Sequence, residues 1–342
     1  MSPTAIPGNL ILQSPTASKL ILVNDQRNPA GDAQITYGIT STGGVFNLRS
    51  TGTVDYEVEW GDGTVERSTS NVLAHTYAAG SYVLKIRTSQ QYVPYFNNST
   101  DEDQITSVAL VSDLDVGTSL QNAWFGANNI TSFDAAFGVT AGVTSFNSTW
   151  RDCSGLTSFP LIDTSSATNF FRAWLLCTSL TNFPLIDTSL GTNFFAAWQN
   201  CSGLTSFPLI DTSRGNSFQS AWQSCSSLTT FPLIDTSIGT TFRAAWSGCS
   251  GLTSFPANFF DYWTGTPNNN CFFNAWDNCS SLTATSVENI LNSIDTSLQS
   301  APAIGPDITI DYDGVGTPNI STAVSNLKSR GWTITLNGVL QP

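Results

Sequence analysis

Charged side chains are scarce in this sequence. Asp, Glu, Lys and Arg make up 11% of its 342 residues, against roughly 25% in an average globular protein. The chain has 12 basic residues, of which only three are lysines, and 25 acidic residues, so the formal net charge is −13. A negative surface repels phosphate groups, and the composition therefore disfavours nucleic acid and anionic membranes as partners.

Long apolar runs are also missing. No stretch of 18 or more apolar residues occurs, so we expect no membrane insertion. The first residues, Met-Ser-Pro-Thr-Ala-Ile-Pro-Gly, contain neither a basic segment nor a long apolar core. They do not resemble a secretory signal, and we expect an unprocessed start.

The residues that usually carry catalysis are few. The only histidine is His75, and the sequence shows no Ser-His-Asp set, no glycine-rich phosphate loop and no cluster of metal ligands. Asp311 and Asp313 form an isolated Asp-x-Asp pair, which is too weak a signal for a site. We therefore expect a protein that is not an enzyme and that holds no cofactor or metal.

What the chain does contain is an internal repeat. Tryptophan recurs at intervals of 24 residues, and degenerate copies precede and follow the regular ones at Trp124 and Trp276. A fixed period between 20 and 50 residues indicates a stack of repeated units. The regular copies are marked by Trp150, Trp174, Trp198, Trp222 and Trp246.

Each copy has an apolar pattern around its tryptophan. Phe or Leu stands four residues before the Trp, Ala usually one before it, and Cys usually three after it. This i, i+3, i+4, i+7 spacing is one face of a two-turn helix. The Leu-Thr-x-Phe-Pro-Leu-Ile segment that follows should be extended, because Pro disfavours a helix before it. We predict one short helix and one extended segment per coil, closed by an Asp-Thr-Ser turn.

The repeat resembles the BspA-like branch of leucine-rich repeats, whose units carry an aromatic helix, a Cys-Ser-x-Leu-Thr core and an Asp-Thr-Ser turn. The likeness covers about half of the chain, with Phe-Pro standing where many members have another Leu. It implies a surface or interaction protein and no particular ligand.

Upstream of the repeat, the residues alternate as in β-strands, with Trp-Gly-Asp-Gly-Thr at 60–64, His-Thr-Tyr at 75–77 and Gly-Ser-Tyr-Val-Leu-Lys-Ile at 80–86. These motifs resemble the polycystic-kidney-disease (PKD) family of immunoglobulin-like domains. The resemblance implies a small β-sandwich that serves as a spacer or contact module, and a structural role for His75.

The expected fold is therefore multidomain: a small β-sandwich, then an α/β leucine-rich-repeat-type solenoid, then a C-terminal α/β cap. Residues 1–30 should form an edge hairpin or a docking arm, and a strand at 105–111 should open the solenoid. In the cap we expect helices at 286–294 and 321–330 and strands at 307–312 and 332–336. The expected segments are 1–30 (arm), 31–90 (PKD-like), 91–119 (junction and N-terminal cap), 120–285 (repeats) and 286–342 (C-terminal cap).

Two rows of repeated residues are candidate sites. Six cysteines stand three residues after successive tryptophans, with Cys271 outside the row. On predicted helices they would lie about 8–10 Å apart, too far for disulfides, so we interpret them as buried core residues. The second row precedes each Thr-Ser and could cap its own turns, bind Ca²⁺ between coils or contact a ligand. It consists of Asp163, Asp187, Asp211 and Asp235.

Exposed positions that differ between copies are further candidates for ligand contact, namely Arg172, Arg214 and Arg243. We expect a virion surface protein of a bacteriophage, such as a tail fibre, receptor-binding or capsid decoration component. It would bind other virion proteins through the N-terminal arm and a host cell-surface glycan or protein through the repeats. The alternative is a secreted bacterial adhesin or matrix protein. A homo-oligomer is compatible with either function.

Overall fold

The computed structural model describes residues 35–51, 55–97, 101–111 and 113–342. The arm expected at 1–30 lies outside the described residues. From the N-terminus onward the chain forms a seven-stranded sheet, a stack of coils that each contain one tryptophan of the repeat, and a small unit of two helices and three strands.

The N-terminal sheet has the strand order β3-β2-β4-β1-β6-β7, and β5 pairs with β1. All pairs are antiparallel except β6 with β7. The strands form one sheet that extends past residue 90, so the separate β-sandwich expected over 31–90 is wrong. The strands are β1 (Ile35–Thr51), β2 (Tyr56–Glu59), β3 (Val65–Ser68), β4 (Val72–Thr88), β5 (Val93–Pro94), β6 (Ile105–Leu110) and β7 (Ser132–Ala135).

A glycine pair divides the long strand β1. Gly43 and Gly44 have φ of 99° and 134°, values that only glycine adopts readily. Buried side chains alternate on odd positions before the pair, as at Tyr37 and Ile39, and on even positions after it, as at Phe46. Because a shift of one residue turns every side chain to the other face, the pair lets both halves of β1 bury their apolar residues.

The tryptophan segments are chains of tight turns and not helices. Within residues 170–177, the amides of Ala173 and Leu175 donate to carbonyl oxygens three residues earlier, at 3.1 and 3.3 Å. Arg172 and Leu176 have φ of 54° and 67°, whereas a right-handed helix needs negative φ at every residue. The predicted helix in each coil is therefore wrong, and so is the α/β leucine-rich-repeat class. Strand accounts for 24% and helix for 8% of the structure.

The apolar pattern gave a false helix signal for a geometric reason. In these turns every fourth residue has left-handed backbone, and the fully buried side chains follow one another at intervals of three, one and three residues. Phe170, Ala173, Trp174 and Cys177 are all fully buried. Their i, i+3, i+4, i+7 spacing is the spacing of a buried helix face, so the sequence pattern fits both conformations.

The tryptophan turns of neighbouring coils are joined by a hydrogen-bond ladder that runs in one direction, whereas other amides of the coil donate to the preceding coil, as Thr192 does to Thr168 at 2.9 Å. The amide of Arg172 donates to the carbonyl oxygen of Phe195 at 2.9 Å, and that of Trp174 to Ala197 at 2.8 Å. The other coils repeat this arrangement, so the ladder amides point to the following coil and the ladder carbonyls to the preceding one. Parallel bridges mark the same stacking at Ser119, Ser145, Asn169, Asn193, Ser217 and Thr241.

Aromatic rings fill the interior of the stack. The indoles from Trp150 to Trp276 form a row with centroids 5.2 to 5.7 Å apart and planes within 8° of parallel. The phenyl ring of Phe183 meets Trp174 at 4.8 Å and 79°, an edge-to-face contact that stabilises by about 0.5–1.5 kcal/mol beyond area burial. Within the described residues the indole nitrogens of this row have no hydrogen-bond acceptor. Ring packing therefore stabilises the row.

The C-terminal unit covers the last coil, and the helices and strands expected there are confirmed. Its sheet has the order β10-β9-β8, and Ile310 forms a parallel bridge with Trp276 of the last coil. Thr283 caps the first helix by accepting the amide of Ser286. The elements are α1 (Ala284–Thr296), β8 (Asp307–Ile310), α2 (Ser321–Ser329), β9 (Thr333–Leu336) and β10 (Val339–Leu340).

Candidate functional site: the outer faces of the coil stack

The four aspartates Asp163, Asp187, Asp211 and Asp235 lie at the same corner of successive coils. In each of them Oδ1 accepts a hydrogen bond from the backbone amide two residues later, at 2.8 to 3.0 Å. This is an Asx turn, in which the side chain replaces a backbone acceptor. One oxygen of each carboxylate is therefore engaged in closing its own coil.

The backbone carbonyl oxygens of these aspartates accept hydrogen bonds as well. The hydroxyl of Thr212 donates to the carbonyl oxygen of Asp235 in the next coil at 2.6 Å, and the three preceding coils repeat the contact. The amide and hydroxyl of Ser213 lower the pKa of Asp211. In the part of the chain that the structure describes, no group of three or more His, Cys, Asp or Glu could hold a metal ion.

The three candidate arginines do not lie together. Arg172 and Arg243 belong to tryptophan turns, whereas the exposed Arg214 follows the Asp-Thr-Ser turn at another corner. Two coils lie between those of Arg172 and Arg243, so the residues are three coil steps apart, about 14 Å at the usual spacing of hydrogen-bonded strands. Two of the three arginines thus share a face.

Arginines stack on phenyl rings at two positions of the tryptophan turns. Arg172 and Arg243 lie over rings three residues before a Trp, and Arg151 lies over a ring directly after one. The guanidinium carbon of Arg172 lies 4.7 Å from the ring centroid of Phe171 and 5.6 Å from that of Phe195. These two rings stack at 5.0 Å. Arg151 lies 4.5 Å from the ring of Phe125, and Arg243 lies 5.3 Å from Phe273. We call this surface the Trp-turn face and define it by Phe125, Arg151, Phe171, Arg172, Phe195, Arg243 and Phe273.

Arg151 and the four phenylalanines of this face were not predicted as site residues. Phe171 and Phe195 stand next to the buried Phe170 and Phe194, so they read as part of the same apolar pattern. The signal that could have found them is variation: the position three before each regular Trp is occupied by Asn147, Phe, Phe, Gln219 and Arg243 in successive copies.

The cysteine row is buried, as expected, but its cysteines lie in turns and not on the predicted helices. Each thiol instead donates a hydrogen bond to the carbonyl oxygen of the tryptophan in the preceding coil, for example Cys201 to Trp174 at 3.2 Å. Burial raises the pKa of Cys201 well above its usual value. All seven cysteines are free and buried, Cys271 included.

His75 lies on β4, where its imidazole stacks on Trp60 at 4.4 Å. Its Nε2 is 2.9 Å from Oδ2 of Asp62 in the β2–β3 turn. The hydroxyl and amide of Thr64, followed by His75, lower the pKa of Asp62 to about 2. The histidine is therefore part of the contacts that hold this turn.

One open cleft, of about 650 Å³, lies where the last coil meets the C-terminal unit. The structure brings Asp311, which looked isolated in the sequence, next to Asp277. Desolvation and the charge of Asp311 raise the pKa of Asp277. The lining residues are Ser250, Asp277, Asn278, Ser280, Thr309, Asp311, Tyr312, Asn337 and Gly338.

Among the described residues, no helix is long and apolar enough to cross a membrane. In comparisons with known proteins, the chain matches no family model, no curated protein and no solved structure.

Proposed function

We propose that this chain is a non-enzymatic surface protein of a bacteriophage virion that contacts a host cell-surface glycan or protein through the Trp-turn face. The observation that carries the proposal is Arg172 stacked on the paired rings of Phe171 and Phe195. Aromatic and arginine side chains supply most of the binding energy at recognition surfaces. Arg172 and both rings are half-buried, so part of each side chain is open to a ligand.

The stacking geometry prepares these side chains for binding. A guanidinium stacked on a phenyl ring is already held in place, so less side-chain freedom is lost when it donates to a ligand. Planar guanidinium groups fit carboxylates and paired oxygen acceptors, and phenyl rings fit the apolar faces of sugars or side chains. The face can therefore bind a glycan or an extended protein segment.

The repeat supports weak contacts made several times. Arg151, Arg172 and Arg243 lie on the first, second and fifth of five regular coils, at a spacing of about 4.8 Å per coil. When one contact forms, the others become intramolecular, so overall affinity exceeds that of a single contact. A repetitive host surface suits such a face.

The virion assignment rests on the sequence. The arm expected at 1–30 would bind other virion proteins. The net charge of −13 disfavours nucleic acid as the ligand.

The test of the face measures binding of the labelled full-length chain to bacterial cell envelopes. We expect Arg172→Ala to weaken binding at least tenfold, and the triple variant with Arg151→Ala and Arg243→Ala to abolish it. Arg214→Ala is the matched control, since the same residue type is removed from another corner. Equal loss in the control, or no loss in the triple variant, would contradict the role of the face.

The virion assignment is tested separately by immunogold labelling of cultures that carry the gene. Label on phage particles supports it, and label on cell envelopes without particles favours the secreted adhesin instead. New reducing ends after incubation of the chain with host glycans would contradict a non-enzymatic function.

A further inference from the structure

We propose that the cleft between the last coil and the C-terminal unit binds one uncharged sugar residue. The coil side contributes Asp277, Asn278 and Ser280, and the C-terminal unit contributes Asp311 and Tyr312. This site is separate from the Trp-turn face and does not depend on the function proposed for it.

The walls of the cleft are held by hydrogen bonds between distant parts of the chain. The amide of Asn278 donates to Oδ2 of Asp311 at 2.8 Å, and the amide of Tyr312 donates to Oδ1 of Asn337 at 2.8 Å. The side-chain nitrogen of Asn278 donates to Oδ2 of Asp277 at 2.8 Å. These contacts fix the polar groups before any ligand arrives, which lowers the entropic cost of binding.

The position of Asp311 follows from the one-directional ladder. In the coil of Trp276 the ladder amides have no further coil to donate to. The amide of Trp276 meets the carbonyl oxygen of Thr309 at 3.4 Å, and that of Asn278 meets the Asp311 carboxylate. Aligned peptide dipoles favour an anion at the end where the amides are exposed. Oδ2 of Asp311 thus accepts a hydrogen bond from the last coil, and the other carboxylate oxygen can accept one from a ligand in the cleft.

The remaining groups match the hydrogen-bonding needs of a sugar. The carboxylates of Asp277 and Asp311 accept from hydroxyls, and Nδ2 of Asn337 donates because its Oδ1 is already used. The hydroxyl of Ser280 does either, and the ring of Tyr312 offers an apolar wall. A pocket with a few fixed polar groups and an aromatic wall is typical of small-molecule sites, and about 650 Å³ accommodates one sugar residue.

The charges of the residues that line the cleft indicate which class of ligand it binds. It contains two carboxylates and neither Lys nor Arg, so phosphate, sulfate and acidic sugars are repelled. A hard cation such as Ca²⁺ prefers six to eight oxygen ligands, and here two carboxylates are partly committed to Asn278. An uncharged polyol accepts hydrogen bonds and donates them without adding charge, and it is the class that fits.

The experiment titrates the full-length chain with glucose, galactose, mannose and N-acetylglucosamine, followed by saturation-transfer NMR and calorimetry. We expect saturable binding of at least one of them and at least a tenfold loss in Asp277→Asn. Asp163→Asn, the same change at a distant turn, should bind as the parent does. Should Asp277→Asn fail to fold, Ser280→Trp, which fills the cleft from an exposed position, should also abolish binding.

Several outcomes would overturn the proposal: no binding of any of the four sugars, equal binding of glucuronic acid, or tight binding of Ca²⁺ that Asp277→Asn removes. The Arg172→Ala variant should bind the sugar normally. Loss of envelope binding with intact sugar binding therefore separates the two sites, and failure of either proposal leaves the other testable.

Discussion

The backbone amide of Arg172 lies 2.9 Å from the carbonyl oxygen of Phe195 in the next coil and donates a hydrogen bond to it. Arg172 forms this bond with φ of 54°, a conformation that costs a non-glycine residue roughly 1–2 kcal/mol. The equivalent position is left-handed in every coil, at Ser148, Ala196, Ser220 and Ala244. Stacking against neighbouring coils thus imposes a backbone that the local residues do not favour.

This cost can be measured within one coil. Ala244 (φ 50°) and Gly248 (φ 74°) both have left-handed backbone. We expect Gly248→Ala to destabilise by about 1 kcal/mol, since it adds a Cβ at positive φ. Ala244→Gly should be neutral or stabilising by up to about 1 kcal/mol, because relief of strain offsets the greater freedom of the unfolded chain. Urea midpoints measure both, and stabilisation by Gly248→Ala would contradict the assigned turns.

The buried threonine of each Asp-Thr-Ser turn should contribute to stability through its hydroxyl. Thr212 is 1% exposed and donates to Asp235 at 2.6 Å. We expect Thr212→Val to cost about 1–2 kcal/mol, because a partly buried hydrogen bond between neighbouring coils is lost. Thr205→Val is the control: its hydroxyl donates to Thr181 in the preceding coil, at 3.4 Å, but the residue is exposed and water can replace the bond. Equal losses in urea unfolding would contradict this account.

The seven cysteines should be unreactive in the folded protein. Burial raises the pKa of Cys271 to about 12. It also raises the pKa of the thiols in the cysteine row well above the usual value. Since the thiolate is the reacting species, we expect no labelling by a disulfide reagent near pH 8 over minutes. All seven should react in concentrated guanidinium without reductant. A titre below seven after denaturation would show a disulfide.

The turn that contains Asp62 should make stability depend on acid pH. Its pKa is lowered to about 2 by hydrogen bonds from Thr64 and then by His75. A group whose folded pKa is depressed stabilises above its unfolded pKa, near 4, and loses that contribution as pH falls through the folded pKa. The Asp62→Asn variant should therefore lose less stability than the parent as the pH falls from about 4 to about 2.

The control for this pH series is Asp134→Asn, which removes an exposed carboxylate from β7. Its urea midpoints should follow those of the parent across the same range. If Asp62→Asn shows the full acid dependence of the parent, the contribution of the turn is refuted.

Much of the architecture outside the coils was predictable from local pattern. The helices at α1 and α2 and the strands β8 and β9 were found within a few residues, because amphipathic spacing and the flanking residues there agree with the final conformation. Strand β6 (Ile105–Leu110) was also found. Strand β1 pairs with both β4 and β6, so the sheet joins residues on both sides of position 90, and pairing between distant strands leaves no local signal.

The candidate site was predictable only in part. Arg172 and Arg243 were selected because they vary between copies, and the structure places both on one face. Arg214 was selected by the same rule and lies at another corner, since position in the coil and not variability decides which way a side chain points. The cleft could not be found, because Asp277 and Asp311 meet only when the C-terminal unit packs on the last coil.

The sequence by itself determined that 24-residue units stack, because apolar residues at a fixed period must be buried against neighbouring copies. It also determined which residues fill the interior, from the tryptophan row to the cysteine row. Only the tertiary structure decided that the tryptophan segments are turns. The i, i+3, i+4, i+7 pattern fits a helix or this chain of turns equally, and the choice lies in backbone hydrogen bonds to adjacent coils, such as that from Arg172 to Phe195.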